Sequence, residues 1–386
     1  RYSSATAIIV GTGSCRNAAD DGDLVLAAEV TVPITTAPPV FSTTTHGLDE
    51  KTPAAGTIAV TNAAVGVTGT GTAFLTDFVN RTLTGTIGTG GVPSATVTGS
   101  GTKFLSEIAI GDLMGKASSL RRVTAIASDT SLTVSSNHTI TDGTAGLVVE
   151  NPTIKCVDTG EVRRLDTITD DLTATVTSNW TTTDASSAWR IGSEAVSTWY
   201  YVWLVTNGTT TIAILSTQRT TPFLAGITGK RRIGSIRNNT SGDINTFTTT
   251  QAGPNLEISW YGDLSASGFF NLVSGGTATT DTDVSVDVGA PPTAVAVLLH
   301  GQVYDSRPNP MTEFQQLKVR SSFDATAANF AFTAFADTQT NNDGYGGAST
   351  GWLPMDGSRQ IVKWNLQQPE TTTPAYLGVA AYREVL

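Results

Sequence analysis

The segment Val67-Thr68-Gly69-Thr70-Gly71-Thr72-Ala73-Phe74-Leu75-Thr76-Asp77 returns thirty positions later as Val97-Thr98-Gly99-Ser100-Gly101-Thr102-Lys103-Phe104-Leu105-Ser106-Glu107. A chain that repeats itself at short range builds each copy as the same supersecondary unit and packs the copies against one another. A second match has an offset of 42 and aligns Arg121-Arg122-Val123-Thr124-Ala125-Ile126 with Arg163-Arg164-Leu165-Asp166-Thr167-Ile168. It runs on from Asp129, Thr133, Val134, Ser136 and Asn137 to Asp171, Thr175, Val176, Ser178 and Asn179, with eight of eighteen positions identical. Residues 55–192 therefore read as a tandem of small β modules, one complete and two partial. Such arrays extend a chain in space and seldom enclose a catalytic cleft.

Elsewhere apolar residues recur with period two, as in Leu256-Glu257-Ile258-Ser259-Trp260, Val284-Ser285-Val286-Asp287-Val288 and Val362-Lys363-Trp364-Asn365-Leu366. That is the pattern of half-buried strands. Thr supplies 66 of 386 residues and charged side chains only 15%, which suits pleated surfaces and disfavours a coiled coil or helical bundle. The two best helix candidates, Phe104 to Leu113 and Val162 to Leu172, are each three turns or less and compete with a strand reading. Residues 1–54, with Pro33, Pro38, Pro39 and Pro53, read as an N-terminal arm or docking segment. Residues 193–253 read as a connector built on a hairpin, because Trp199 to Val205 and Thr211 to Leu215 flank an Asn207-Gly208 turn. Residues 254–386 offer about eight alternating segments, near Leu256, Phe269, Val284, Val295, Phe314, Phe330, Val362 and Tyr376, as a jelly roll or related antiparallel sandwich would. The fold class expected is all-β: small tandem modules followed by a C-terminal, jelly-roll-like β-sandwich.

Charge and cysteine usage narrow the function classes. With 23 basic against 33 acidic side chains the net charge is −10, which argues against a duplex nucleic acid as partner, since phosphate neutralisation needs clustered Lys and Arg. Cys15 and Cys156 are too few for a disulfide framework and lack the spacing of a zinc site. No stretch approaches 18 consecutive apolar residues, so membrane insertion is not expected. No nucleophile elbow, P-loop or dinucleotide fingerprint occurs, and no cofactor is implied.

The stretch VTGSGTKFL, then GDLM, then RRVTAIASDTSLTV, over Val97 to Val134, resembles a short β repeat of structural proteins in tailed bacteriophages. WYYVWLVTNGTTTIAIL followed by TPFLAGITGKRRIGSIRNNTSGDI resembles a segment of phage tail fibres, head fibres and related virion appendages. Together they cover residues 57 to about 250. The resemblance implies a virion component on the tail, collar or capsid surface: a fibre-type homo-oligomer, a trimer in particular, attached to other virion proteins through its N-terminal arm. It implies host attachment or assembly rather than an enzyme. A receptor-binding adhesin for host surface polysaccharide and a capsid decoration protein are the alternatives.

Candidate chemistry is sparse. His46, His138 and His300 are scattered with no companion at metal-ligand spacing. Asp281, Asp283 and Asp287 share one side of a strand, as calcium ligands or a glycosidase pair would, or as a solvated face opposite Val284, Val286 and Val288. Asp20-Asp21-Gly22-Asp23 has the look of a calcium loop without its downstream Glu. Lys230-Arg231-Arg232 with Arg237 is the densest positive patch, fit for a subunit contact, a salt network or an anion. The segment Asn341 to Trp352 reads as a loop too polar and Gly-rich to pair as a strand, and Tyr304 to Pro310 as a proline-stiffened contact loop. Sugars bind where aromatic faces stack beside amide and carboxylate partners, so Asp343, Tyr345, Trp352 and Asp356 are the glycan-binding candidates.

Overall fold

Branched and alternating residues become strands throughout, and the computed structural model is all-β, with helix confined to two short turns among the described residues. It describes the chain except residues 1, 5–6, 12, 17–22, 35–38, 42–45, 54, 80, 253, 261–269, 305–314, 323–331, 337–345, 356–360, 368–374 and 386. Two compact units divide the chain, residues 1–244 and 245–386.

In the first unit, residues 1–54 hold β1 (Tyr2–Ser4), β2 (Ala7–Val10), β3 (Gly13–Arg16), β4 (Asp23–Leu26), β5 (Val30–Pro33) and β6 (Gly47–Leu48). Strands β1, β2 and β5 form a sheet, β3 and β4 a hairpin. The repeat region follows: β7 (Thr57–Val60), β8 (Gly66–Thr70), α1 (Phe74–Phe78), β9 (Arg81–Gly88), β10 (Ser94–Ser100), α2 (Phe104–Glu107), β11 (Leu113–Lys116), β12 (Ser119–Ser128), β13 (Ser131–His138) and β14 (Thr144–Val149). It continues with β15 (Thr153–Cys156), β16 (Val162–Asp170), β17 (Thr173–Val176), β18 (Asp184–Ser187) and β19 (Trp189–Ile191). The segment from Val162 is thus strand, not helix: Leu165 and Ile168 are buried from a ladder that twice slips register, while Val162 is half-buried and Leu172 exposed.

The two partial repeats are halves of one module. Strands β9 to β14 pair in the ring β9-β10-β13-β12-β11-β14-β9, a closed antiparallel barrel of six strands. Strands β7, β8, β17, β16, β15 and the broken strand β19/β18 pair in the same ring order. The complete module, residues 81–149, is therefore inserted into the other between α1 and β15. The sheets are continuous through β12 and β16, where Leu120 lies opposite Ile168. Closure removes the free edges that open sheets leave. Each barrel has its own core: Val97, Phe104, Ile108, Met114, Val123 and Leu132 in the inner one, and Val67, Phe74, Phe78, Leu165, Trp180 and Trp189 in the outer.

The repeated letters are the ones that shut each barrel. Val67 lies opposite Ala174 and Val97 opposite Leu132, both pairs buried. Thr72 Oγ1 donates to Asp171 O at 2.6 Å, and Thr102 Oγ1 to Asp129 O at 2.5 Å. Leu75 and Leu105 donate their N–H groups to Oδ1 of the same two aspartates, at 2.9 and 3.0 Å. A Cβ at Gly69 or Gly99 would fall 1.9 or 2.0 Å from the threonine hydroxyl, so glycine is needed to let that hydroxyl cross the strand.

Strands β20 (Trp199–Thr206), β21 (Thr211–Ser216) and β22 (Gly229–Arg237) complete the unit in the order β22-β20-β21-β6. The Asn207 turn works as expected: its Oδ1 accepts from the N–H groups of Thr209 and Thr210 at 3.0 and 2.8 Å. Tyr201, Trp203, Val205, Ile212 and Ile214 bury one face with Phe41. Strand β6, from the expected arm, pairs in parallel with β21, and Asp49 N–H reaches Leu215 O at 2.7 Å.

The second unit is a jelly roll. Its strands are β23 (Phe247–Ala252), β24 (Asn255–Trp260), β25 (Asn271–Gly276), β26 (Thr282–Ser285), β27 (Ala294–Tyr304), β28 (Gln315–Ser321), β29 (Phe332–Ala336), β30 (Gly346–Pro354), β31 (Ile361–Gln367) and β32 (Ala375–Val385). One sheet runs β23-β24-β32-β27-β30, with β25 also on β32, and the other β26-β31-β28-β29. From β24 onward, β25 aside, the chain passes back and forth between two four-stranded sheets, staying in the smaller one only for the β28–β29 pair, as a jelly roll requires, with β23 and β25 added. Val297, Leu299, Val303 and Leu353 of the larger sheet and Leu317, Val319, Val362 and Leu366 of the smaller are fully buried.

Candidate functional site

Strand alternation fixes what the larger jelly-roll sheet shows outward. Val297, Leu299 and Val303 point inward, so Ala296, Leu298, His300 and Gln302 form the outer row of β27. Across the ladders the outer row aligns Trp352 with Leu298, and Arg383 with both Ala296 and Glu257. The Arg383 guanidinium lies over the Trp352 ring, 3.9 Å from its centroid, and donates through Nε and Nη2 to Glu257 Oε2 at 3.1 and 3.0 Å. Aromatic face, cation and carboxylate thus form one line across four strands. Ala296, between Arg383 and Pro354, leaves the ring room to reach the guanidinium. One residue along, His300 Nδ1 is buried with no hydrogen-bond partner among the described residues, and burial lowers the imidazole pKa.

Of the four glycan candidates, Trp352 sits in this line, half-buried. Asp343, Tyr345 and Asp356 lie outside the described residues, as do the rest of Asn341 to Tyr345 and the loop after Tyr304. The reading of Asn341 to Trp352 as an unpaired loop is corrected: from Gly346 on it is β30, paired with β27 over nine positions. The alternation was hidden because the inward positions Ser349 and Gly351 are small, leaving Leu353 as the large inward side chain. Arg383 and Glu257 carried no sequence signal beyond ordinary strand polarity.

The other charged groups are committed within the fold. Asp281 accepts from Arg320 and Asn365, and the Arg320 bond foremost holds its carboxyl below the usual range; Asp283 pairs with Lys363 at 2.5 Å. Among the described residues no group of His, Cys, Asp and Glu could hold a metal. The basic cluster is spread along β22: Lys230 lies over the Trp203 ring and bonds to Thr220 O, and Arg232 lies over Tyr201. His138 Nε2 meets Ser119 Oγ at 2.7 Å, a buried pair with the outline of a base and nucleophile. Among the described residues its Nδ1 has no orienting acceptor, and burial, with Arg121 and Lys116 nearby, pushes the pKa down to about 4. An imidazole so poor as a base does not activate a serine.

The most heavily built polar site joins the inner barrel to the segment after β21. Arg219 donates to both oxygens of Asp112, and Arg219 N, Thr220 N and Thr220 Oγ1 donate to Glu150. Arg81 Nε adds a bond to Glu150 at 3.1 Å. Burial opposes the Arg219 charge, but Asp112 and Glu150 outweigh it and raise its pKa. Only Arg81 Nη2 in this cluster is buried without a hydrogen-bond partner among the described residues, and a buried network so heavily bonded fixes geometry and offers no substrate access.

No helix among the described residues is long and apolar enough to cross a membrane. No protein-family model and no curated protein matches the chain.

Proposed function

We propose that this chain is a structural component of a tailed-phage virion, a fibre-type appendage whose first unit attaches to the particle through residues 1–54 and which displays the jelly roll. Its work is assembly and attachment, not catalysis. The reading rests on the phage-like repeat, whose Val, Gly, Thr and Phe positions seal a barrel twice over: the residues that carry the resemblance are scaffold in this fold. The experiment is to probe density-gradient-purified particles of a phage whose genome encodes this sequence with an antibody against the chain, and to locate the label by electron microscopy. Label on the tail or collar is expected; label on the shell makes the chain a decoration protein, and its absence from particles overturns the reading.

A second reading, a polysaccharide-binding adhesin, is favoured by the line of Trp352, Arg383 and Glu257 on an outward sheet face. Aromatic stacking beside a charged pair is how a protein surface holds a sugar ring. Retention of host polysaccharide by the intact chain, lost in Trp352→Ala, is the expected result.

A further inference from the structure

The two barrels are twins, so a residue that differs between them shows what one end has and the other lacks. Arg163 of β16 lies opposite Ile154, and Arg121 of β12, 42 positions earlier, lies opposite Met114; each shares a face with the core of its own barrel. Trp180 donates its N–H to Ala64 O, and His138 lies opposite Ser94, so these two side chains hold the same place at the end of each barrel. In the outer barrel that end carries its own counter-charge. Arg163 lies over the Trp180 ring and gives Nε to Asn179 O at 3.1 Å and Nη2 to Glu161 Oε2 at 2.5 Å. Glu161 also accepts from Thr181 N, Thr181 Oγ1 and Thr182 Oγ1. The inner barrel has Ser119 in the glutamate's place. Arg121 keeps the bond from Nη1 to the preceding carbonyl, to Leu120 O at 3.0 Å as Arg163 bonds to Val162 O at 2.9 Å, and Nη1 also reaches Ile168 O at 3.4 Å. Its Nε is buried with no hydrogen-bond partner among the described residues, and so is Nδ1 of His138, a residue 4% exposed. Lys116, opposite Ser119, adds a further cation on the Met114 face. The nearby carboxylates are committed: Asp166, whose charge acts on Arg121, accepts from Arg122 Nε at 2.8 Å. Asp142, the one carboxylate in the turns 89–93, 117–118 and 139–143 that close this end, accepts from Gly90 N at 2.9 Å.

We propose that this end of the inner barrel binds a small carboxylate anion, held by Arg121, Lys116 and His138 in the place that Glu161 fills within the outer barrel. The ligand class follows from the twin, where the group on the equivalent guanidinium is a carboxylate. A serine in place of the glutamate lacks one methylene and the carboxylate, which are the groups of acetate. A buried guanidinium N–H without an acceptor is costly, and a charge-assisted bond to an anion both satisfies it and is stronger than a neutral one. Burial first, then the charges of Arg121 and Lys116, lower the pKa of His138, so a bound anion acts on the imidazole in the opposite sense to its present surroundings. Lys116 and Arg121 are partly exposed, which gives an anion a way in from solvent. The site is independent of the virion reading.

The test is an NMR titration of the full chain carrying isotope-labelled histidine, with sodium acetate exchanged for sodium chloride at constant ionic strength and neutral pH; His138→Gln assigns the His138 signal among the three histidines. The expected result is a His138 ring signal that moves saturably with acetate while those of His46 and His300 stay still. The response is lost in Arg121→Gln, and Ser119→Glu, which supplies the carboxylate from the chain itself, shifts the His138 signal in the same direction without acetate and no longer answers to it. A His138 signal that does not move when acetate replaces chloride overturns the proposal, as does a response that persists in either variant. Should a variant disturb the His46 signal and so the fold, Lys116→Gln, at a partly exposed position, takes its place. Acetate affinity lowered several-fold there supports the site, and unchanged affinity overturns it.

Discussion

Arg219 and Asp112 meet fork to fork, Nη1 on Oδ1 at 3.0 Å and Nη2 on Oδ2 at 2.6 Å, with both side chains buried. Removing the cation while leaving two buried carboxylates is worse than removing the cluster. Arg219→Met is expected to destabilise the first unit by about 3–5 kcal/mol, read by urea unfolding, and Arg219→Lys to recover little because an ammonium cannot make the two-point contact.

The paired caps predict equal effects at distant sites. Asp129 and Asp171 each take a helical-turn N–H through Oδ1 and a threonine hydroxyl through the backbone. Asp129→Ala and Asp171→Ala should each cost about 1 kcal/mol, with additive effects in the double variant, by equilibrium unfolding.

Asp49 makes stability depend on pH. Burial pushes its carboxyl up to about 6, against hydrogen bonds from Phe223 N, Ser216 Oγ and Leu224 N. A folded value above the unfolded 3.8 means the folded state holds its proton more tightly. The contribution is full below the unfolded value and is lost as pH rises through 6. Acidification from pH 7 towards 4 should therefore gain on the order of 3 kcal/mol at this site, visible as a pH-dependent difference from Asp49→Asn in paired denaturant curves.

His138 works in the opposite sense. Its pKa falls from 6.5 to about 4 on folding, so its contribution is present above 6.5 and lost as pH drops through 4. Melting temperatures of His138→Gln between pH 7 and 4 should fall less steeply than those of the unaltered chain.

The inner barrel should fold alone. Its ends lie side by side, with Arg81 bonded to Glu150 at 3.1 Å and Arg81 opposite Val148 in the ladder. Residues 80–151 expressed as a fragment should unfold cooperatively by circular dichroism, at reduced stability because Leu113, Leu120 and Val149 lose their packing in the outer core.

Much of this fold was legible in the sequence. Period-two patterns located β24, β26 and β31, and the Asn207-Gly208 turn located the hairpin, because burial on one face and a left-handed turn residue leave local marks. Nesting was not read, although the spacing carried it: 24 residues separate Val97 from Arg121, while 96 separate Val67 from Arg163. The line of Trp352, Arg383 and Glu257 was half visible. Trp352 stood out as an aromatic near polar residues, but its companions come from strands some 30 and 95 positions away in the chain, joined by a register that no local pattern encodes. Val162 to Leu172 misleads because apolar residues three apart fit a helical stripe as well as they fit a strand with bulges.

The insertion of one barrel within another also sets an order of events. Val67 must find Ala174 across more than a hundred residues, and a flexible loop of that length closes slowly. Once residues 81–149 have folded, their adjoining ends cut that gap from 106 intervening residues to the 37 of 68–80 and 150–173, so the inner barrel serves as a splint for the outer. During synthesis the first half of the outer barrel emerges early and waits, unpaired, until the inner one is complete. Mutations that slow the inner barrel should therefore lengthen the time for which Val67, Phe74 and Phe78 stay uncovered, and so raise aggregation during folding even where final stability is unchanged.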